Sequence, residues 1–190
     1  MLNNPEIEFD AQSVIHSINL HGSELVGLEL GVYMGRSFMG FLNNCPNIKT
    51  LYGVDSWKPY KDYIQGKYNP QVPAEEKNEM TIEIAKHATY VGLKYSEHRD
   101  KAIILEKDSN DALNDIPDNH LDFIFLDAYL TYEQIKNDLK VWYPKVKKGG
   151  LYMGHDWHCD AVRKAVFKFR EENNITSFLS TFDDTFIWVK

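Results

Sequence analysis

Short apolar runs alternate along this chain with stretches whose apolar side chains recur every three or four positions. Residues 10–21 place Ala11, Val14, Ile15, Ile18 and Leu20 at helical spacing, which predicts an amphipathic helix ending near Gly22 and covering a sheet edge. Apolar runs at 25–30, 50–54, 102–105, 121–126 and 151–153 predict strands. Helical patterns fall at about 74–97, at 131–142 and at 161–169. The second carries Tyr132, Ile135, Leu139 and Trp142 on one stripe behind Thr131 as N-cap, and the third carries Val162, Val166 and Phe169. Such alternation predicts an α/β fold, a parallel doubly wound sheet with helices on both faces. Two last runs, 176–180 and 185–189, are separated by Thr181-Phe-Asp-Asp184. They predict a C-terminal antiparallel hairpin, and so a mixed sheet of seven strands.

The run at 25–30 leads into Gly31-Val-Tyr-Met-Gly-Arg-Ser37. Gly31 would let the backbone turn tightly and approach a ligand, and a helix opening near Gly35 to Ser37 would present unpaired N–H groups. The next strand closes on Asp55, whose carboxylate could accept hydrogen bonds from ribose hydroxyls. That is the outline of a nucleoside-cofactor site. Between Asp55 and Lys101 the chain inserts an aromatic piece, residues 57–73, that reads either as a lid over the crevice or as local packing of tyrosines on a core edge.

Length and composition narrow the setting. At 190 residues, 43% hydrophobic and mean hydropathy −0.45, one soluble domain over 1–190 is the economical expectation, with an N-terminal helical segment within 1–23. The start of the chain has neither the basic flank nor the apolar core of a signal peptide, so a cytoplasmic location is expected. Cys45 and Cys159 lie too far apart for a ligand-spaced cluster and read as ordinary buried thiols. A net charge of −7 without a long basic run argues against nucleic-acid or anionic-membrane partners and favours a small-molecule acceptor. The N-terminal helix could cover its own sheet or that of a second copy, which leaves a homodimer open.

Glu29-Leu-Gly-Val-Tyr-Met-Gly-Arg-Ser37 resembles the first motif of class I S-adenosylmethionine-dependent methyltransferases, which have a Rossmann-like sheet ending in a hairpin. The likeness continues through Tyr52-Gly-Val-Asp-Ser-Trp57 and Leu105-Glu-Lys-Asp-Ser109. Further on, Leu121-Asp-Phe-Ile-Phe-Leu-Asp127 and the stretch from Trp142 to Trp157 are similar to the small group that includes macrocin-type and catechol-type O-methyltransferases. The resemblance implies transfer of a methyl group from S-adenosylmethionine to a small-molecule hydroxyl. It assigns cofactor contact to Glu29, Gly31, Gly35, Ser37, Asp55, Asp108 and Ser109, with Glu29 toward the amino-acid end, Asp55 at the ribose and Asp108 and Ser109 at the adenine.

Asp127 and His155-Asp156 would occupy adjacent strand tips and could surround one divalent cation. In the metal-dependent relatives, acids there hold magnesium or a similar ion, so Asp127, His155 and Asp156 are the expected metal and catalytic residues. Relatives place a histidine or lysine where this chain has Leu130, and leucine cannot take a proton. His155 or Tyr129 could serve instead, the acceptor could need no base, or activity could be lost. For His155, capping the turn after its strand is the plain alternative, and His158 reads as a surface or helix-start residue with no partner. Two other functions compete: an NAD(P)-dependent oxidoreductase, though Gly31 and Gly35 lack the full Gly-x-Gly-x-x-Gly series, and a non-catalytic protein that binds the cofactor.

Overall fold

In the computed structural model β1 (Leu25–Leu30), β2 (Ile48–Val54), β3 (Ala102–Leu105), β4 (Leu121–Leu126), β5 (Val146–Gly154) and β6 (Phe186–Val189) form one sheet. Their spatial order is β3-β2-β1-β4-β5-β6. The first five strands are parallel and β6 runs antiparallel to β5. The structure describes residues 11–58, 79–128 and 131–190. The expected lid therefore lies outside the described residues apart from Trp57 and Lys58, and so do Tyr129, Leu130 and the first ten residues.

Six helices accompany the sheet among the described residues: α1 (Gln12–His21), α2 (Arg36–Asn44), α3 (Glu79–Tyr95), α4 (Ser109–Ala112), α5 (Tyr132–Trp142) and α6 (Asp160–Glu172). Because side chains alternate across a strand, β1 sends Leu28 and Leu30 to one face and Leu25 and Glu29 to the other. Leu28 and Leu30 join a core of Ile124, Tyr152 and Trp188 with Leu139, Trp142, Val166 and Phe169 from α5 and α6. On the opposite face Phe123, Phe125 and Met153 pack with Phe38, Phe41, Val14 and Ile18 from α2 and α1. Both faces are covered, which is why the central strands read as nearly continuous apolar runs. Thr131 caps α5 as expected, accepting from the Gln134 N–H at 3.1 Å.

Three expectations need correction. The sheet described has six strands, not seven: Ser180 pairs with Ile187 in one isolated bridge, while residues 176–179 form no ladder. Their backbone has another partner, since the Arg170 guanidinium donates to the Ser177 carbonyl. Helix α1 packs on a sheet face against α2 and β5, not over an edge. Strand β5 begins at Val146, five residues before the apolar run at 151–153 predicts, so Lys147, Lys148, Gly149 and Gly150 belong to the sheet; Lys147 reaches Asp122 on β4 at 2.7 Å.

Candidate functional site

Gly31, Asp55, Asp127 and His155 each stand one residue beyond a parallel strand, and each N–H donates to the last carbonyl of the neighbouring strand. The pairs are Gly31 to Val54 at 2.9 Å, Asp55 to Leu105 at 3.2 Å, Asp127 to Leu30 at 2.8 Å and His155 to Leu126 at 3.0 Å. The ladder thus fixes all four at the carboxyl edge, where open α/β sheets place their ligand crevices. A cleft of about 770 Å³, including its open mouth, runs along this edge. Gly31, Asp55, Asp108, Ser109 and Asp127 line it, together with Tyr33, Trp57, Lys58 and Ile82. Asp55 and Asp127 therefore open onto the same space.

Gly31 has φ 93°. A Cβ there would lie 2.1 Å from the Asp127 carbonyl oxygen, so only glycine lets β1 turn against β4. Gly35, at φ 73°, is the N-cap of α2. The loop between these glycines is pinned from three sides. Asp55 Oδ2 accepts from the Tyr33 N–H at 2.8 Å. The Tyr33 carbonyl accepts from Trp57 Nε1 at 2.8 Å and from the Thr89 hydroxyl at 2.9 Å. Asp55 Oδ1 takes the Trp57 N–H at 2.7 Å, so one carboxylate joins the glycine loop to the start of the following segment. Burial raises the Asp55 carboxyl above its ordinary value, against the lowering effect of these backbone bonds.

Glu29 and Ser37 do not line the cleft but lie beneath its glycine turn. Glu29 is fully buried and accepts from the Ser37 hydroxyl through Oε1, while Oε2 has no partner. Burial lifts this carboxyl well above its ordinary 4.5; Ser37 opposes the shift, and the charges of Asp127 and Asp55 add to it. Ser56, also buried and lining the cleft, has a hydroxyl without partner. Two unsatisfied buried polar atoms beside one crevice are uncommon, and the Ser56 hydroxyl, which lines it, suits a polar ligand that would complete its bonding.

At the other end, Asp127, His155 and Asp156 offer a ligand atom each, all within 4.8 Å of one another. His155 Nδ1 lies 3.6 Å from Asp127 Oδ1 and 3.6 Å from Asp156 Oδ1. The carboxylate–imidazole donor set fits a divalent cation of the magnesium, manganese or iron kind. Asp156, in the turn after β5, takes a left-handed backbone, φ 58°.

Other assignments change character. Asp108 is held by Lys58 at 3.0 Å across the mouth of the cleft. Ser109 is committed inside: its hydroxyl donates to Asp138 at 2.6 Å and accepts from Trp142 Nε1 at 2.8 Å. Sequence reading took Trp142 as packing alone and passed over Asp138 and Thr89. His158 has a partner after all, since its Nδ1 lies 2.6 Å from Asp184 Oδ2. Cys45 is buried as expected, but Cys159 is only half-buried.

The comparisons with known proteins bear on this geometry. A family model described as a methyltransferase domain matches residues 28–157. Among curated proteins none matches the chain by sequence. Solved structures of similar fold include the O-methyltransferase NovP, with 19% identity over 94% of this chain and 78% of that one and a TM-score of 0.69. Another is the O-methyltransferase TomG from Streptomyces achromogenes in complex with SAM, at 14% identity, 98% and 83% coverage and TM-score 0.63. A third is precorrin-6y C5,15-methyltransferase from Geobacter metallireducens, at 17% identity, 89% and 72% coverage and TM-score 0.61. At these identities the likeness is one of fold. Among the described residues, no helix is long and apolar enough to cross a membrane.

Proposed function

This chain belongs to the methyltransferase-domain family, and from that premise we propose that it moves the methyl group of S-adenosylmethionine to a hydroxyl oxygen of a small-molecule acceptor. The observation that carries the reading is the convergence of Asp55, Asp108 and Asp127 on one cleft, above a buried Glu29 whose second carboxyl oxygen lacks a partner. Glu29 suits the ammonium of the amino-acid end, because a cation beside it would favour its ionised form and use the free oxygen. Asp55 retains lone pairs for ribose hydroxyls after bonding Tyr33 and Trp57. Asp108 would exchange its bond to Lys58 for the adenine end.

Asp127, His155 and Asp156 would hold a divalent cation, which supplies a Lewis acid that makes an acceptor hydroxyl easier to deprotonate. The chain's own residues position: the strand-end ladder holds Asp127 and His155 rigidly, and alignment accounts for much of the rate when the leaving group is a sulfonium. In the transfer, the acceptor oxygen bonds the methyl carbon, the carbon–sulfur bond breaks toward sulfur, and the hydroxyl proton leaves to a base. Without a cation, His155 between two carboxylates is placed to hold that proton itself.

The test is methyl transfer from labelled S-adenosylmethionine to a panel of phenols, sugars and polyketides, with added magnesium and with chelator. Turnover with magnesium that chelator abolishes is expected. Failure to bind S-adenosylmethionine overturns the reading; turnover indifferent to chelator removes the cation and leaves His155 as base.

A further inference from the structure

A second group of donor side chains lies where the turn after β5 enters α6. Asp156, His158 and Cys159 place a carboxylate oxygen, a ring nitrogen and a sulfur within 4.8 Å of one another. The turn that carries them is closed by its own backbone. The Cys159 N–H donates to the Asp156 carbonyl at 2.8 Å, and the Trp157 N–H donates to the Asp184 carbonyl at 3.0 Å. Arg163 Nη1 adds a bond to the Trp157 carbonyl at 2.9 Å.

The imidazole of His158 is oriented from behind. Asp184, just before β6, accepts the His158 backbone N–H through Oδ1 and meets Nδ1 through Oδ2, both at 2.6 Å. An ionised carboxylate only accepts, so Nδ1 carries the proton and the neutral ring keeps its lone pair on Nε2. Nε2 lies 3.3 Å from Cys159 Sγ. A carboxylate on the ring nitrogen remote from the ligand is the arrangement that sets the tautomer and direction of metal-bound histidines. Asp184 reaches His158 from a separate segment of the chain, and its whole carboxylate is spent on that one residue's N–H and ring.

We propose that Asp156, His158 and Cys159 form a second cation site, selective for a thiophilic divalent ion such as zinc, with Asp184 as the positioning residue for His158. One sulfur, one imidazole and one carboxylate leave a fourth tetrahedral position open. Sulfur distinguishes this site from the Asp127 group, whose donors are two carboxylates and one imidazole. On binding, the Cys159 thiol gives its proton to solvent and the sulfur bonds the metal. The carboxylate of Asp156 is common to both groups, so the two sites adjoin through it. The inference does not depend on methyl transfer.

Cobalt(II) is the probe, because thiolate bound to it absorbs in the near ultraviolet. Full-length protein stripped of metal is expected to develop this absorption, saturating near a single equivalent, and to lose it when zinc(II) is added. Cys159→Ser is expected to abolish the band; Cys45 sits in the core and cannot replace it. His158→Ala and Asp184→Asn should weaken cobalt binding about tenfold or more, while Asp127→Asn leaves the band in place. A wild-type protein without the band, a band that survives in Cys159→Ser, or its loss in Asp127→Asn overturns the proposal.

Discussion

Ser37 donates its hydroxyl to Oε1 of Glu29 and so ties the first turn of α2 to the penultimate residue of β1. The bond lies in a fully buried environment, and it leaves the neighbouring Oε2 unpaired. Burial first, then the charges of Asp127 and Asp55, hold this carboxyl well above its ordinary 4.5, with Ser37 opposing them. The folded protein therefore keeps a proton that the unfolded chain releases near its ordinary value. Stability is then greatest below that value and declines as pH rises toward the folded pKa. Glu29→Gln, which cannot titrate, should flatten that decline in urea midpoints measured from mildly acidic to neutral pH. Parallel curves for the two proteins would contradict it.

Replacing Asp55 has two expected effects, because its carboxylate does two things. Asp55→Ala leaves the Tyr33 and Trp57 N–H groups without their acceptor, at a cost of about 1–3 kcal/mol in unfolding free energy. It should also weaken S-adenosylmethionine binding about tenfold or more, as a charged acceptor is lost. Asp55→Asn keeps one acceptor oxygen for the loop and should recover more stability than affinity. Calorimetric titration beside urea denaturation separates the two; affinity unchanged in both variants would remove Asp55 from the ligand.

The two glycines of the turn should differ sharply. A Cβ on Gly31 would stand 2.1 Å from the Asp127 carbonyl oxygen and 2.6 Å from its carbon, and backbone cannot yield as a side chain does. Gly31→Ala should cost about 3 kcal/mol or more. At Gly35 the nearest atoms are the Thr89 hydroxyl at 3.0 Å and methyl at 3.2 Å, contacts that a shift of a few tenths of an ångström relieves, so Gly35→Ala should cost about 1–2 kcal/mol, the ordinary penalty of a left-handed residue. Melting temperatures that fall equally would show that backbone conformation, not contact with β4, dominates at both.

Legibility in the sequence followed the range of the interactions. The order of glycine turn and strand-end acids was readable because each lies directly after an apolar run, and a parallel sheet brings such ends together. Asp55, Asp127 and His155 were found this way. The strand count was not readable, because residues 176–180 alternate well enough for a strand while Arg170, on the preceding helix, takes their backbone. His158 looked unpartnered since Asp184 lies 26 residues on, in a turn without periodicity. Thr89 and Asp138 sit on helix stripes where position predicts packing, and only the fold shows that Thr89 bonds the Tyr33 carbonyl and Asp138 the Ser109 hydroxyl.

Asp138 shows how a residue outside the cleft can control one inside it. At 3% exposure it accepts from Ser109 at 2.6 Å and from Gln134 Nε2 at 3.1 Å. Ser109 in turn accepts from Trp142 Nε1 at 2.8 Å. Asp138→Ala would strand two half-buried donors, at about 1–3 kcal/mol in stability, and free the Ser109 side chain at the adenine end. Asp138→Asn, which can still accept through one oxygen, should restore most of both. If the two residues act as one unit, the Ser109→Ala and Asp138→Ala effects on S-adenosylmethionine affinity will fall short of adding, by about 0.5–3 kcal/mol in a double-mutant cycle. Strict additivity would mean that Asp138 supports α5 alone and that Ser109 reaches the cleft without its help.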